Sequence, residues 1–143
     1  MTGDELQEVI DFHRVSQVLY RYASLVDQKD WAALRTLFVD DATAKYGEYP
    51  ALEGADEIVA FIARASRDRP WLHHLLSVYH VDVFGDEATA LTYHTSHQIE
   101  AGDDSVVGII VARYEDRLRL VHGAWKIARK EMHIGWREKR SRS

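Results

Sequence analysis

The residues of this chain best suited to chemistry are an aspartate at the end of a helical segment, two adjacent histidines, and tyrosines spaced around them. Asp27 follows the apolar pair Leu25-Val26 and falls where a helix dipole disfavours negative charge. Acids that break such local rules are enriched at functional sites, and a partly desolvated carboxylate there suits general-base work. The competing reading of Asp27-Gln28-Lys29-Asp30 is a solvated turn between two helices. His73 and His74 follow Pro70-Trp71 at the start of a β-rich segment. Adjacent strand residues point to opposite faces, so at most one of the two faces the interior. His94 and His97 have opposite parity on the next β-rich segment and also divide between the faces unless a bulge intervenes. Tyr22, Tyr46, Tyr79 and Tyr93 are common core-edge residues that only position could make into hydroxyl donors.

The eight histidines invite a metal reading. They are scattered, however, with no HxH or HExxH spacing beside carboxylates, so no bound metal is expected. The chain also lacks GxGxxG, GxxxxGK[ST] and GxSxG, which leaves a nucleotide cofactor or a nucleophile elbow unsupported. The expected chemistry therefore needs no cofactor.

These side chains must be positioned by a small set of elements. Apolar residues from Leu6 to Val26 recur at three- and four-residue steps, which predicts a long amphipathic helix over about Asp4 to Asp27, with Thr2 and Glu5 as its capping box. A short helix fits Asp30 to Phe38, with Asp30 as N-cap and Trp31 inward, and Ala42 to Tyr46 reads as a short strand. Tyr49, Pro50 and Gly54 mark a loop. A third helix over Ala55 to Arg67 places Ile58, Phe61 and Ile62 on one face. After Pro70 the period becomes two: Leu75 to Phe84, Glu87 to Ala101, Val106 to Leu120 and Ala124 to Trp136 are strands joined by tight Gly-containing turns. The fold class is α+β, a curved antiparallel sheet wrapped around three N-terminal helices.

The chain has 143 residues, 46% apolar and 29% charged, enough for one domain with a full core over residues 1–143, with a frayed tail from about residue 138. A net charge of -5 supplies no footprint for nucleic acid. The ten Lys and Arg between Arg113 and Arg142 alternate with acids, the pattern of a solvated strand face. Zero Cys, an N-terminus without a basic or apolar leader, and the absence of a membrane-length apolar run predict a soluble cytoplasmic protein that does not enter membranes.

The words YRYASLVDQKDWAALRTLF, HHLLSVYHVDVFGDEATA and GAWKIARKEMHIGW, in this order of elements, resemble the SnoaL-like branch of the nuclear-transport-factor-2-like superfamily. The resemblance covers about residues 5 to 136. Val26-Asp27-Gln28-Lys29-Asp30-Trp31 is similar to a motif of scytalone dehydratase, with matching spacing to Tyr46. The helix-end Asp and first-strand His are similar to those of lindane dehydrochlorinase and bile-acid dehydratase. The chain departs from scytalone dehydratase in having Val26 where that enzyme has Tyr, and the apolar run Ile109-Ile110-Val111 where it has a pocket Asn.

The resemblance implies a cone-shaped fold with a pocket between helices and concave sheet. It also implies an Asp27–His74 acid/base pair, with Tyr22 and Tyr46 as hydroxyl donors. His94, His97, Trp31 and Phe61 are the expected pocket-lining residues. The implied activity is a cofactor-independent lyase of dehydratase type, or an isomerase, acting on a small hydrophobic, ring-containing (aromatic or polycyclic) substrate. The resemblance further implies a homo-oligomer, dimer or trimer. The alternative is a non-catalytic binding or assembly protein of the same fold.

Overall fold

The computed structural model describes residues 1–142 and shows three helices against one curved sheet. Helix α1 spans Gly3–Asp27 and opens on the expected capping box: Glu5 N–H donates to Thr2 Oγ1 at 3.1 Å and Thr2 N–H to the Glu5 carboxylate at 2.7 Å. It ends in a Schellman arrangement, with Lys29 N–H donating to the Val26 carbonyl and Asp30 N–H to the Leu25 carbonyl, both at 3.0 Å. Lys29 adopts the left-handed φ of 57° that this closure requires. The amine of Lys29 then donates to the Arg69 carbonyl at 2.7 Å, tying the helix end to the segment that follows α3. Asp27 is therefore held at a pinned helix terminus.

The buried residues of α1 are Val15, Leu19, Tyr22, Ala23 and Val26, together with Ser16. The earlier apolar residues Leu6, Val9 and Phe12 are exposed. Helix α2 covers only Trp31–Arg35, with the Asp30 carboxylate accepting the Ala33 N–H at 3.1 Å. The chain turns into strand β1 at Phe38 instead of continuing as helix to that residue. Phe38 and Val39 are buried there, and β1 runs to Tyr46. A two-residue strand β2, Leu52–Glu53, lies in the expected loop, and α3 spans Ala55–Ser66.

Strands β3 (Leu72–Phe84), β4 (Glu87–Glu100), β5 (Asp103–Val121) and β6 (Ala124–Ser141) form the expected antiparallel meander. The sheet order is β2-β1-β6-β5-β4-β3. One pair departs from an all-antiparallel sheet: β1 runs parallel to β6. The long path from β1 through β2, α3 and three further strands provides the crossover that parallel pairing needs. Strand β6 stays paired to Ser141, opposite Val106, so the tail expected to fray from about residue 138 is strand.

Two bulges in β6 shape the sheet and redirect its side chains. The β5–β6 register skips Ala128 and again skips Gly135, and each skip exchanges the faces to which the following residues point. A Cβ on Gly135 would meet the Val111 carbonyl at 3.2 Å, tighter than most such contacts, so glycine suits the second bulge. No helix among the described residues is long and apolar enough to cross a membrane.

Candidate active site

Strand β4 grades from packing to polarity along its inner face. Ala88 and Ala90 are small and belong to the apolar core; Thr92, His94 and Ser96 continue the same parity and are buried polar groups. The last two line a cavity of about 180 Å³ between α1, α3 and the inner sheet face. Tyr22 and Val26 of α1, Tyr46 of β1, Phe61 of α3, Leu72 and His74 of β3, and Tyr114 of β5 share that lining. A wider hollow of about 470 Å³, lined by charged groups such as His80, Asp82, Arg117 and Arg129, includes neither Asp27 nor His74.

The end of α1 and the start of β3 meet at one contact. Asp27 Oδ1 lies 2.5 Å from His74 Nδ1, and Oδ2 accepts the His74 backbone N–H at 3.0 Å. The two side chains are 21% and 11% exposed, so the contact is shielded yet reachable from the cavity. With Nδ1–H donated to the carboxylate, Nε2 is left as the basic nitrogen. His73 points to the other face, opposite His97, with ring centroids 6.1 Å apart.

The tyrosines and the second histidine beside the pair are uncharged. The hydroxyls of Tyr22 and Tyr46 are 2.7 Å apart, and burial pushes both phenols well above their usual range, so both remain protonated. Whichever donates to the other, one hydroxyl hydrogen is left over. His94 stacks on Tyr114 at 4.3 Å, and its ring centroid is 5.9 Å from that of His74. Burial, followed by the nearby His74 and Lys130, pushes His94 down to about 3, which keeps it neutral. Its buried Nδ1 has no partner.

Phe61 stacks on Tyr46 at 5.4 Å and closes the cavity from above. Two of the expected lining residues lie elsewhere. His97 belongs to the outer face because its parity is opposite to that of His94, with no bulge between them in β4. Trp31 packs against the apolar core beneath α2, away from the cavity.

A model of the SnoaL-like domain matches residues 7–131. The chain belongs to this family. An uncharacterized protein of Mycobacterium tuberculosis is 28% identical over 127 residues, covering 86% of this chain and 84% of the relative. Among solved structures, a hexachlorocyclohexane dehydrochlorinase superposes with a TM-score of 0.85 at 12% identity, covering 96% of this chain and 93% of that one. A candidate scytalone dehydratase from Novosphingobium aromaticivorans gives 0.84 at 19% identity, covering 92% and 88%. A nuclear-transport-factor-2-like protein with a cystatin-like fold from the same species gives 0.79 at 25% identity, covering 93% and 87%.

This SnoaL-like chain also carries a group that sequence reasoning missed. Lys130 and Asp116 are cross-strand partners, and their side chains are 1% and 0% exposed and 3.0 Å apart. The Lys130 amine lies 4.2 Å from the Tyr22 ring centroid and 3.9 Å from that of Tyr114. The alternating charges of this region suggested a solvated face, but the bulge at Ala128 turns Lys130 inward. Burial lowers the lysine and raises the aspartate, each opposed by its partner.

Among the described residues, three His and carboxylate groups come close enough to share a metal at one place on the outer face, where ligand atoms of Glu115, Glu131 and His133 lie within 4.8 Å of one another. These groups are already cross-paired, His133 with both glutamates and each glutamate with an arginine. A salt-bridge ladder explains them.

Proposed function

We propose that this SnoaL-like protein is a cofactor-independent lyase, or an isomerase built on the same first step, acting on a small, largely apolar ring compound with an activated C–H bond. The reading rests on one observation above the others, the two-point grip of Asp27 on His74, whose ring lines the cavity. The dehydrochlorinase and candidate dehydratase with the same fold support an elimination.

In this mechanism His74 Nε2 takes the carbon-bound proton. The Asp27 carboxylate holds the ring in the required tautomer and stabilises the imidazolium that forms. The electron pair left on carbon moves toward a carbonyl oxygen that accepts the free Tyr22–Tyr46 hydroxyl hydrogen. Expulsion of hydroxide or another leaving group from the neighbouring carbon completes an elimination. Return of the proton to a different carbon completes an isomerisation. His94, being neutral, contributes an N–H without adding a second positive charge beside the imidazolium.

Asp27→Asn and His74→Gln should each lower turnover by at least about 10²-fold, and the double variant should lose no more than the worse single one, since the two act as a unit. Tyr46→Phe should cost less than either, because Tyr22 keeps a hydroxyl. Full activity in Asp27→Asn would contradict the proposal.

A further inference from the structure

The proposed chemistry uses the floor of the cavity and leaves its rim unexplained. Tyr22, Tyr46, His94 and Tyr114 are buried at the floor, whereas Tyr49 and Arg137 are exposed at the rim. Arg137 reaches the cavity because of the bulge at Gly135. Trp136 pairs with Val111 on the outer face, and Arg137 next to it pairs with Ile110, which lines the cavity. The other lining arginine, Arg69, is occupied by Glu100 at 3.4 Å. Arg137 has no carboxylate partner among the described residues.

Arg137 also lines a second, outer cavity of about 740 Å³, and Tyr49 and Met132 are likewise common to both. The two spaces therefore adjoin across the guanidinium. At about 180 Å³ the inner one is close to the roughly 150 Å³ that accepts a benzene ring, so a substrate much larger than one ring extends beyond it, and Arg137 stands where it adjoins the outer space. Glu48, which lines the outer cavity, makes no ion pair with Arg137.

A planar guanidinium free of internal partners matches a carboxylate or a phosphate. We propose that the substrate is bipartite, with an apolar ring bearing the acidic C–H in the inner cavity and an anionic group, carboxylate or phosphate, on Arg137. This deepens the proton-abstraction reading and depends on it for the placement of the ring.

The test uses the full chain and three probes sharing one ring: phenylacetate, phenylacetamide and phenyl phosphate. Affinity is measured by calorimetry, and ring occupancy by the NMR signals of His74 and His94. The anions should bind about tenfold or more tighter than the amide. Arg137→Gln should remove that preference and leave amide affinity unchanged. The tighter of the two anions identifies which charge the site favours. Equal binding of acid and amide, or a preference that survives Arg137→Gln, would overturn the inference while leaving the inner site standing. If all three probes leave His74 and His94 unperturbed, the ring-binding reading of the inner cavity fails, and the inference fails with it.

Discussion

The Asp27 carboxylate places one oxygen on the ring of His74 and the other on its backbone N–H, so the helix end and the strand start are fixed relative to each other and the ring has little freedom to turn. His94 is a different kind of histidine. It is held neutral down to about pH 3 in the folded chain, against an ordinary value of 6.5. The unfolded state therefore binds more protons between those values, and stability falls as pH drops from about 6.5 toward 3, by up to about 1.4 kcal/mol per pH unit for this group. Urea midpoints measured from pH 7 to 4 should decline, and His94→Gln should decline less steeply. Identical slopes would show that His94 is not the buried group responsible. Asp27 was legible in the sequence as a charge in the wrong place on a helix. His74 was not separable from His73 by parity, because parity says that two neighbours differ and not which one faces in. The resemblance could be aligned on either His94 or His97, and the uninterrupted β4 register puts His94 inside.

Elements place these residues through their irregularities. The Schellman closure at Lys29 ends α1 where Asp27 meets His74 of β3, and the bulges at Ala128 and Gly135 turn Lys130 and Arg137 inward. Bulges were invisible in the sequence, since a period-two reading assumes that alternation never slips, and Lys130 was consequently read as solvated. Its pairing with Asp116 gives an element-scale prediction. Removing one partner leaves an uncompensated buried charge, so Lys130→Met should cost about 3–5 kcal/mol in urea unfolding. The double replacement Lys130→Met with Asp116→Leu should recover most of that loss, because the desolvation of both charges is then relieved. A double variant as unstable as the sum of the two single ones would mean that the pair stabilises the β5–β6 register beyond its own charges.

At the scale of the whole molecule, the strands and hairpin turns were readable because they are local. The parallel pairing of β1 with β6 was not, since it joins segments nearly ninety residues apart and leaves no local pattern. The outer sheet face carries a cross-strand row of Leu75, Thr95, Val111 and Trp136, beside Tyr79 and Tyr93 with ring centroids 4.7 Å apart. Leu75 and Trp136 are each 55% exposed, and Leu6, Val9 and Phe12 are uncovered on α1. Exposed apolar surface of this kind is what contact between copies of the chain would cover. We expect a dimer or trimer by light scattering at micromolar concentration, with Leu75→Lys and Trp136→Glu shifting it to monomer. A monomeric parent protein would contradict that expectation.

The central claim is that His74, held by Asp27, removes a proton from carbon. It is tested most directly by following hydrogen–deuterium exchange at carbon in D₂O by NMR, across a panel of small cyclic ketones and β-hydroxy ring acids. The parent protein should exchange the acidic C–H of at least one member above the buffer rate, and His74→Gln should reduce that exchange by about 10²-fold or more. Exchange that proceeds equally in His74→Gln, or a panel that the parent protein leaves unlabelled throughout, would contradict the account.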